Sequence, residues 1–418
     1  MDVAMKIVFF SIVGFILYVY AGYPVILFIL ALFRRRSKPD ESGELPTVAL
    51  IISAYNEERI IREKIENSLE LDYPEDKLRI IIASDGSLDG TDAIVREYED
   101  RHVILKTFDS REGKSSTLNR TVLGVEEDVL VFSDANAFYR RDALKNLVRN
   151  FASGDVGCVV GRLIYLENHS YVGKGEGLYW RYETLLNGLE SRLGSVFVAT
   201  GTIFAIRREL FRPVMRDVAN DFQIPAEVAS QGCKVVFEKE AVAFERATYF
   251  FREEFSRKKR IIIRGMTGFK HLRRRMGSRL RVFQFISRKL LRWWIGPILP
   301  LLYIANMFLL DDPFFLAIFI LQNIFYLLAI IGALLRRGKV QSKLFFIPFY
   351  FVLVNGAALT AILTYLGGSR LSFWEKAETT RDAHEDAPAG PKLRVIEGKK
   401  SLAYRADSGK VEKFERIP

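Results

Sequence analysis

Three aspartates stand where their type and spacing could do chemistry. Ser133-Asp134-Ala135-Asn136 closes an almost wholly apolar stretch, Val129–Ser133 (VLVFS). A carboxylate at the exit of a buried strand is costly unless it is paired or holds a cation. The i, i+2 spacing sends the side chains of Asp134 and Asn136 the same way from an extended chain. Two hard oxygen donors so placed suit Mg2+ or Mn2+ bridging a diphosphate; the plainer reading is a capped strand end. Asn220-Asp221 precedes an expected helix, Phe222–Gln231, where Asp221 reads either as an N-cap or as a general base near a reacting hydroxyl. Asp85-Gly86-Ser87-Leu88-Asp89-Gly90-Thr91 reads either as a capped turn or as a carboxylate that accepts a hydrogen bond from a nucleobase or ribose. Gly113-Lys114-Ser115-Ser116 is not a P-loop, because Phe108 occupies the position that needs the first glycine. Lys114 at a helix start can still meet a diphosphate as a point charge.

These residues need a scaffold that gathers them. Thr47–Ser53, Leu78–Ser84, Val103–Phe108 and Val129–Ser133 read as short apolar strands, alternating with helical segments such as Glu57–Leu71 and Ser115–Val125. That alternation predicts an α/β fold with a parallel, doubly wound sheet covered on both faces. Ligands of such sheets bind beyond the carboxyl ends of the strands. Tyr55-Asn56-Glu57, Asp85-Gly86-Ser87 and Asp134-Ala135-Asn136 all fall there.

The rest of the chain points to a membrane. An apolar run of 27 residues, Ile7–Phe33, is long enough to span a bilayer, with Gly22-Tyr23-Pro24 as a kink point. Arg34, Arg35, Arg36 and Lys38 follow it, which predicts an outside N-terminus and a cytoplasmic continuation. Three further runs, Leu290–Leu310, Pro313–Leu335 and Leu344–Leu366, lie near the other end, with Arg336, Arg337, Lys339 and Lys343 in the loop between the last two. Four passes put the Lys- and Arg-rich tail outside, unless one run is re-entrant, around Gly356 for instance. Net charge is +11, and the segment from Arg252 to Arg292 holds 15 Lys/Arg against two Glu. Its place beside apolar runs favours anionic membrane lipid over nucleic acid as its partner. Residues 277–292 read as a basic amphipathic helix in the interface, with Leu280, Phe283, Ile286, Leu290 and Leu291 on one face. Cys158 and Cys233 have no zinc spacing and suit a reducing compartment.

In this order, the motifs resemble those of family 2 glycosyltransferases, in the membrane branch of cellulose, chitin, hyaluronan and poly-N-acetylglucosamine synthases. The matching stretches are Ala54-Tyr55-Asn56-Glu57-Glu58, Ser84-Asp85-Gly86-Ser87 with Asp89-Gly90-Thr91, Gly113-Lys114 with Leu118-Asn119, Ser133-Asp134-Ala135-Asn136, Gly201 with Ile206-Arg207-Arg208, Asn220-Asp221, and Arg257–Gly265. The resemblance implies a GT-A nucleotide-sugar-binding fold with a mostly parallel sheet, flanked by N- and C-terminal transmembrane helices. It implies a transmembrane anchor over 1–36, a cytoplasmic transferase over 37–250, basic interfacial helices over 251–292, membrane helices over 293–368 and a polar tail over 369–418. It also implies roles. Tyr55, Glu57 and Asp85 would hold base and ribose, and Lys114, Arg257 and Arg260 the donor phosphates. Asp134 and Asn136 would bind Mg2+ or Mn2+. Gly201 would make room for the acceptor, and Asp221 would be the catalytic base.

The implied activity is inverting transfer from a nucleotide-diphospho-sugar, by family a UDP-sugar, to a polysaccharide or lipid-linked acceptor at the cell membrane. The chain departs from the pattern twice. Asn136 replaces the second aspartate of D-x-D, keeping an oxygen and losing a charge. Arg257-Lys258-Lys259-Arg260-Ile261 stands where processive synthases carry Q-x-x-R-W, so the aromatic platform is missing and addition of one or a few sugars is expected. Two other readings stay open: a transferase adding a single sugar to a polyprenyl phosphate or glycolipid, and a non-catalytic membrane scaffold on a degenerate transferase fold.

Overall fold

The computed structural model describes residues 2–34, 44–166, 171–194, 196–248, 250–276, 278–335, 342–368, 403–405 and 411–413. The basic residues Arg35, Arg36, Lys38, Arg336, Arg337 and Lys339 lie outside the described residues, as does nearly all of the tail. The chain opens with α1 (Asp2–Leu17) and α2 (Tyr23–Leu32). The transferase-like body follows: β1 (Val48–Ala54), α3 (Ile61–Leu69), β2 (Leu78–Ser84), α4 (Thr91–Arg96), β3 (Val103–Thr107), α5 (Lys114–Val122), β4 (Val129–Asp134), β5 (Phe138–Tyr139) and α6 (Ala143–Val148). It continues through β6 (Val156–Leu166), α7 (Tyr171–Arg192), β7 (Phe204–Arg207), α8 (Asn220–Ser230) and β8 (Lys234–Arg246). Last come α9 (Phe251–Leu272), α10 (Arg279–Phe285), α11 (Leu291–Met307), α12 (Pro313–Leu335) and α13 (Lys343–Leu366).

The eight strands form one sheet in the order β3-β2-β1-β4-β7-β6-β8-β5. β1 pairs in parallel with β2 and β4, β2 with β3, and β6 with β8. β7 runs antiparallel to β4 and β6, and β5 antiparallel to β8, so the sheet is mostly parallel, as expected, with antiparallel neighbours where β7 and β5 join it. β7 breaks the pattern because it follows a loop, Val196–Thr202, that arrives at the carboxyl end of β4 and leads the chain back. Gly201 is thereby set beside Asp134.

β1 is buried along almost its whole length because both faces are covered. Val48, Leu50 and Ile52 join one core with Ile61, Ile65 and Val95 of α3 and α4. Ala49 and Ile51 join the other with Leu118 of α5 and Ile224 and Val228 of α8. The period-2 side-chain alternation thus feeds two helix layers from one apolar strand.

Among the described residues, three helices are long and apolar enough to cross a membrane: Asp2–Leu32, Pro313–Leu335 and Lys343–Leu366. Within the first, Tyr18–Gly22 is a π-helical turn and the Tyr23 N–H bonds to the Tyr18 carbonyl. Pro24 has no N–H to continue the regular ladder, and the shift to i+5 absorbs the defect. The Leu290–Leu310 run forms the shorter α11, with Pro297 and Pro300 inside it. α11 lies along α1: Lys6 Nζ meets Asp312 at 2.9 Å at one end, and the Tyr18 and Ser287 hydroxyls are 2.8 Å apart toward the other. α13 runs unbroken through Gly356, so no re-entrant break occurs there.

The expected interfacial helix over 277–292 packs differently. Gln284, Phe285, Ser287 and Arg288 form its buried face, while Leu280, Phe283, Ile286 and Leu290 are only half-buried. An ion cluster explains this inversion. Arg288, 3% exposed, donates to Glu190 Oε2 at 2.6 Å, Glu183 Oε2 at 2.8 Å and Asn187 Oδ1 at 2.8 Å. The Tyr23 hydroxyl donates to the other oxygen of Glu190 at 2.7 Å, which ties α2 into the same cluster. Removing one partner of a buried ion group costs about 3–5 kcal/mol, because the charges left behind stay desolvated. Arg288→Met should therefore lower the thermal midpoint of the detergent-solubilised protein by several degrees; an unchanged midpoint would contradict this account of how the membrane helices are joined to the body.

Candidate active site

Loops at the carboxyl ends of β1 and β2 are laced together first. Asn56 adopts a positive φ of 52°, its N–H bonds to Ser87 Oγ and its side-chain oxygen accepts from the Leu88 N–H at 2.8 Å. Gly86 sits at φ +67°, and a Cβ there would lie 2.9 Å from the Arg111 nitrogen. Only glycine lets these two backbones approach so closely in that conformation. Asp85 is buried, and its carboxylate accepts from the Glu112 and Gly113 N–H groups, each at 2.9 Å, and from Thr117 Oγ1 at 2.8 Å. It holds the turn that opens α5 and so aims Lys114. The Tyr55 ring faces the Arg111 guanidinium at 4.1 Å. Glu57 is buried, with its N–H on Thr91 Oγ1 at 2.7 Å.

A cavity of about 630 Å3 lies between the sheet, α9 and α13. Lys114, Asp134, Asn136, Gly201, Asp221, Arg257 and Arg260 all line it. Tyr55, Glu57 and Asp85 are not among its lining and stay on the β1–β2 rim. Lys114 forms an ion pair with Asp134. A Cβ built on Gly201 would lie 3.5 Å from Asp134 Oδ2 and 3.7 Å from Asp221 Oδ2, so both carboxylates border the space a side chain would fill. The N-cap reading of Asp221 fails: α8 begins at Asn220, its N-cap is Ala219, and no side-chain cap bond forms. Burial raises the Asp221 pKa above its ordinary value, Lys114 and Arg264 oppose that rise, and Asp134 adds to it. Arg257 clasps Glu254 at 2.7 Å and donates to the Tyr165 hydroxyl at 2.8 Å.

Sequence reasoning missed several members of the site. Asn136 Nδ2 donates to Glu245 Oε1 at 2.9 Å, and Glu245 lines the cavity, so this carboxylate stands beside the position where the motif lost one. Its signal was an acidic residue within the apolar end of β8, AVAFER. Arg264, one helical turn beyond Arg260, lies in the matched stretch Arg257–Gly265 but carries no role there by sequence. Lys64 is fully buried: its Nζ donates to the Ala137 carbonyl at 2.5 Å and lies 4.1 Å from the Tyr139 ring centroid. Burial draws its pKa down to about 7, against the pull of Asp134. The spacing of Ile61, Lys64, Ile65 and Ser68 along the buried stripe of α3 accounts for the burial of Lys64, but not for its partners. Trp180 and Trp293 also line the cavity, although neither belongs to the displaced aromatic motif.

Residues 49–214 match the family profile described as Glycosyl transferase family 2. The match covers about two fifths of the chain, the stretch from β1 to the segment after β7. A probable glycosyltransferase, YdaM, of Bacillus subtilis is 28% identical over 226 residues, 49% of this chain and 51% of that protein. A beta-monoglucosyldiacylglycerol synthase of Synechocystis is 29% identical over 174 residues, 38% of this chain and 36% of that protein. The chain thus spans about half, or less, of the length of these curated relatives. Among solved structures, a mannosyltransferase from Pyrobaculum calidifontis in complex with GDP-Man and Mn2+ aligns with a TM-score of 0.66 at 22% identity, covering 88% of this chain and 100% of that one. The fold is GT-A, and its mixed sheet matches the architecture the family resemblance implied.

Lys64 anchors the turn that carries Asn136, and displacing such a turn by about 1 Å can cost about a hundredfold in rate. Lys64→Met should reduce transfer at least about tenfold with little change in thermal midpoint, because methionine keeps the buried volume. Wild-type turnover in this variant would show that the turn holds its place without the lysine.

Proposed function

We propose that this protein is a membrane-anchored inverting glycosyltransferase that moves a sugar from a nucleotide-diphospho-sugar to a polysaccharide or lipid-linked acceptor. The observation that carries this reading is the pair of carboxylates, Asp134 and Asp221, both bordering the space over Gly201 in one cavity with Lys114 and Arg264. Asp134 and Lys114 serve the donor phosphates, with Arg257 and Arg260 on the α9 wall. Asp221 accepts the proton of the acceptor hydroxyl as its oxygen forms the bond to the anomeric carbon. The bond from that carbon to the diphosphate breaks in the same step, and the leaving group departs with its electron pair toward Lys114 and the arginines. Burial raises the Asp221 pKa and so makes it a stronger base than an ordinary aspartate, while Lys114 and Arg264 oppose that rise.

The residues fit a divalent ion such as Mg2+ or Mn2+. Asp134 and Asn136 supply hard oxygens, and Glu245 beside Asn136 restores negative charge to that wall. Among the described residues no group of three or more His, Cys, Asp and Glu forms a cage. A site with few protein ligands suits an ion that is completed by substrate phosphates. When bound, the ion neutralises charge on the departing diphosphate.

UDP-sugar is the first donor to test, by family, and GDP-Man the second, because the Pyrobaculum neighbour holds it. In this reading the active site lies on the cytoplasmic side, by the basic residues that follow the first apolar run; Lys6 and the α11–α12 turn meet at one end of the apolar helices, and α2 joins the body at the other. Exposed Lys270, Arg273, Arg274, Arg275 and Arg279 contact anionic lipid at that inner surface. The enzyme adds one or a few sugars, in keeping with Ile261 on the cavity wall where processive synthases place tryptophan.

Two experiments test the roles. Asp221→Asn keeps shape and removes the base; transfer should fall several orders of magnitude while nucleotide affinity holds, and more than about a tenth of wild-type rate would refute the assignment. The acid limb of wild-type kcat/KM should lie above the ordinary aspartate range and disappear in this variant. In calorimetry, Asp134→Ala should abolish Mn2+-dependent nucleotide binding, Asn136→Ala should weaken it, and Asn136→Asp should tighten it. Equal affinities in all three would remove the metal from these residues.

A further inference from the structure

We propose that the acceptor is an anionic amphiphile: a lipid-linked sugar whose linking phosphate rests on a buried cationic pocket beside Tyr179 and whose chain lies along α13. This rests on the transferase reading above and names the acceptor class for the same cavity.

The first support is a charge imbalance behind the catalytic carboxylates. Glu254 is fully buried and takes both Arg257, at 2.7 Å, and Lys258, at 3.3 Å. Glu183 takes Arg288 at 2.8 Å, Lys289 at 3.0 Å and Arg292 at 2.7 Å, and Glu190 takes Arg288 again at 2.6 Å. Arg257 serves the donor in the reading above; the other four cations face three carboxylates, and all four line the cavity. Excess charge in a poorly solvated place is expensive unless a partner of opposite sign is supplied. A phosphate is an anion that matches that excess.

The second support is geometry. Lys258 Nζ lies 4.2 Å from the Tyr179 ring centroid, and the Arg292 guanidinium lies 5.2 Å from it and donates to its hydroxyl at 3.0 Å. The two cations are thereby clustered about one ring. Trp180, the next residue, also lines the cavity, and its buried indole N–H has no hydrogen-bond partner among the described residues. A ligand oxygen would satisfy it.

The third support is where the cavity leads. Phe346, Tyr350, Val354 and Ala358 line it at steps of four along α13. At 1.5 Å per residue that stripe follows the helix for about 18 Å, over half of a hydrocarbon core of about 30 Å. One wall of the cavity is thus a strip of an apolar helix long enough to cross a membrane, and Asp221 lines the same cavity. An amphiphile with its chain on this strip and its phosphate on the cations presents the attached sugar toward Asp221. The acceptor hydroxyl forms the new bond to the anomeric carbon, its proton passes to Asp221, and the nucleoside diphosphate leaves with the electron pair of the broken bond.

The test uses three probes with the full-length protein in detergent: farnesyl-diphospho-glucose, farnesyl glucoside and glucose 1-phosphate. They hold the sugar fixed and remove in turn the phosphate and the chain. Transfer to farnesyl-diphospho-glucose should exceed transfer to either of the others at least about a hundredfold in kcat/KM. Lys258→Met and Lys289→Met, which each leave their glutamate at least one arginine, should raise KM for that acceptor about tenfold or more, with donor KM moving less than about twofold. Equal use of farnesyl glucoside would overturn the phosphate, and equal use of glucose 1-phosphate would overturn the membrane route. A fluorescent farnesyl diphosphate supplies a binding readout that needs no turnover. Binding of that probe, weakened in both variants, supports the inference even if no donor is consumed, a result that would instead defeat the transferase reading; no binding, or binding unaffected by either variant, overturns the inference.

Discussion

Two carboxylates cannot share a small, partly buried space without help, and much of this structure supplies it. Asp134 and Asp221 come within reach of the same vacant side-chain position at Gly201. In a medium of reduced dielectric their repulsion is worth several times its value in water. Lys114, delivered by the turn that Asp85 holds, pairs with Asp134, and Arg264 from α9 lowers the cost of charge on Asp221. The antiparallel entry of β7 is the topological condition for this meeting, since it brings Gly201 to the end of β4.

The same logic extends toward the membrane. The cavity is walled by α9 and α13 as well as by the sheet, so catalytic groups and apolar helix residues belong to one space. Glu254 accepts from the Tyr350 hydroxyl at 3.0 Å, which links α9 to α13, and the Arg288 cluster links α7 and α2 to the segment before α11. These buried ionic contacts fix how the transferase body sits on its helices. A soluble homologue of the domain would have no reason to keep them.

The donor motifs and the strand-end placement of Asp85, Asp134 and Asn136 were legible because short apolar strands announce themselves and ligands gather at their carboxyl ends. Asp221 was legible by position and ambiguous by chemistry; the N-cap at Ala219 removes the capping reading, and the general base is our proposal. The basic block was legible as charge alone. Sequence could not divide it into residues that face lipid and residues that face inward, since that depends on which side of α9 and α10 packs on the body. Arg288 and Lys258 point into protein, whereas Arg273, Arg274 and Arg275 are exposed. Lys64 and Glu245 reach the site only through tertiary packing, one from beneath the Asn136 turn and one from across the sheet. Asp85 shows the converse: its motif was plain, and its carboxylate also accepts from the turn that opens α5.

Single displacement over the Asp134–Asp221 pair has a stereochemical consequence that no binding experiment can imitate. The most direct measurement is the anomeric configuration of the product, read by proton NMR coupling at the new linkage and compared with that of the nucleotide-sugar consumed. Attack by an acceptor hydroxyl deprotonated by Asp221, in line with the departing diphosphate, predicts inversion: an α-linked donor gives a β-linked product. Retention of the donor configuration would contradict the central claim.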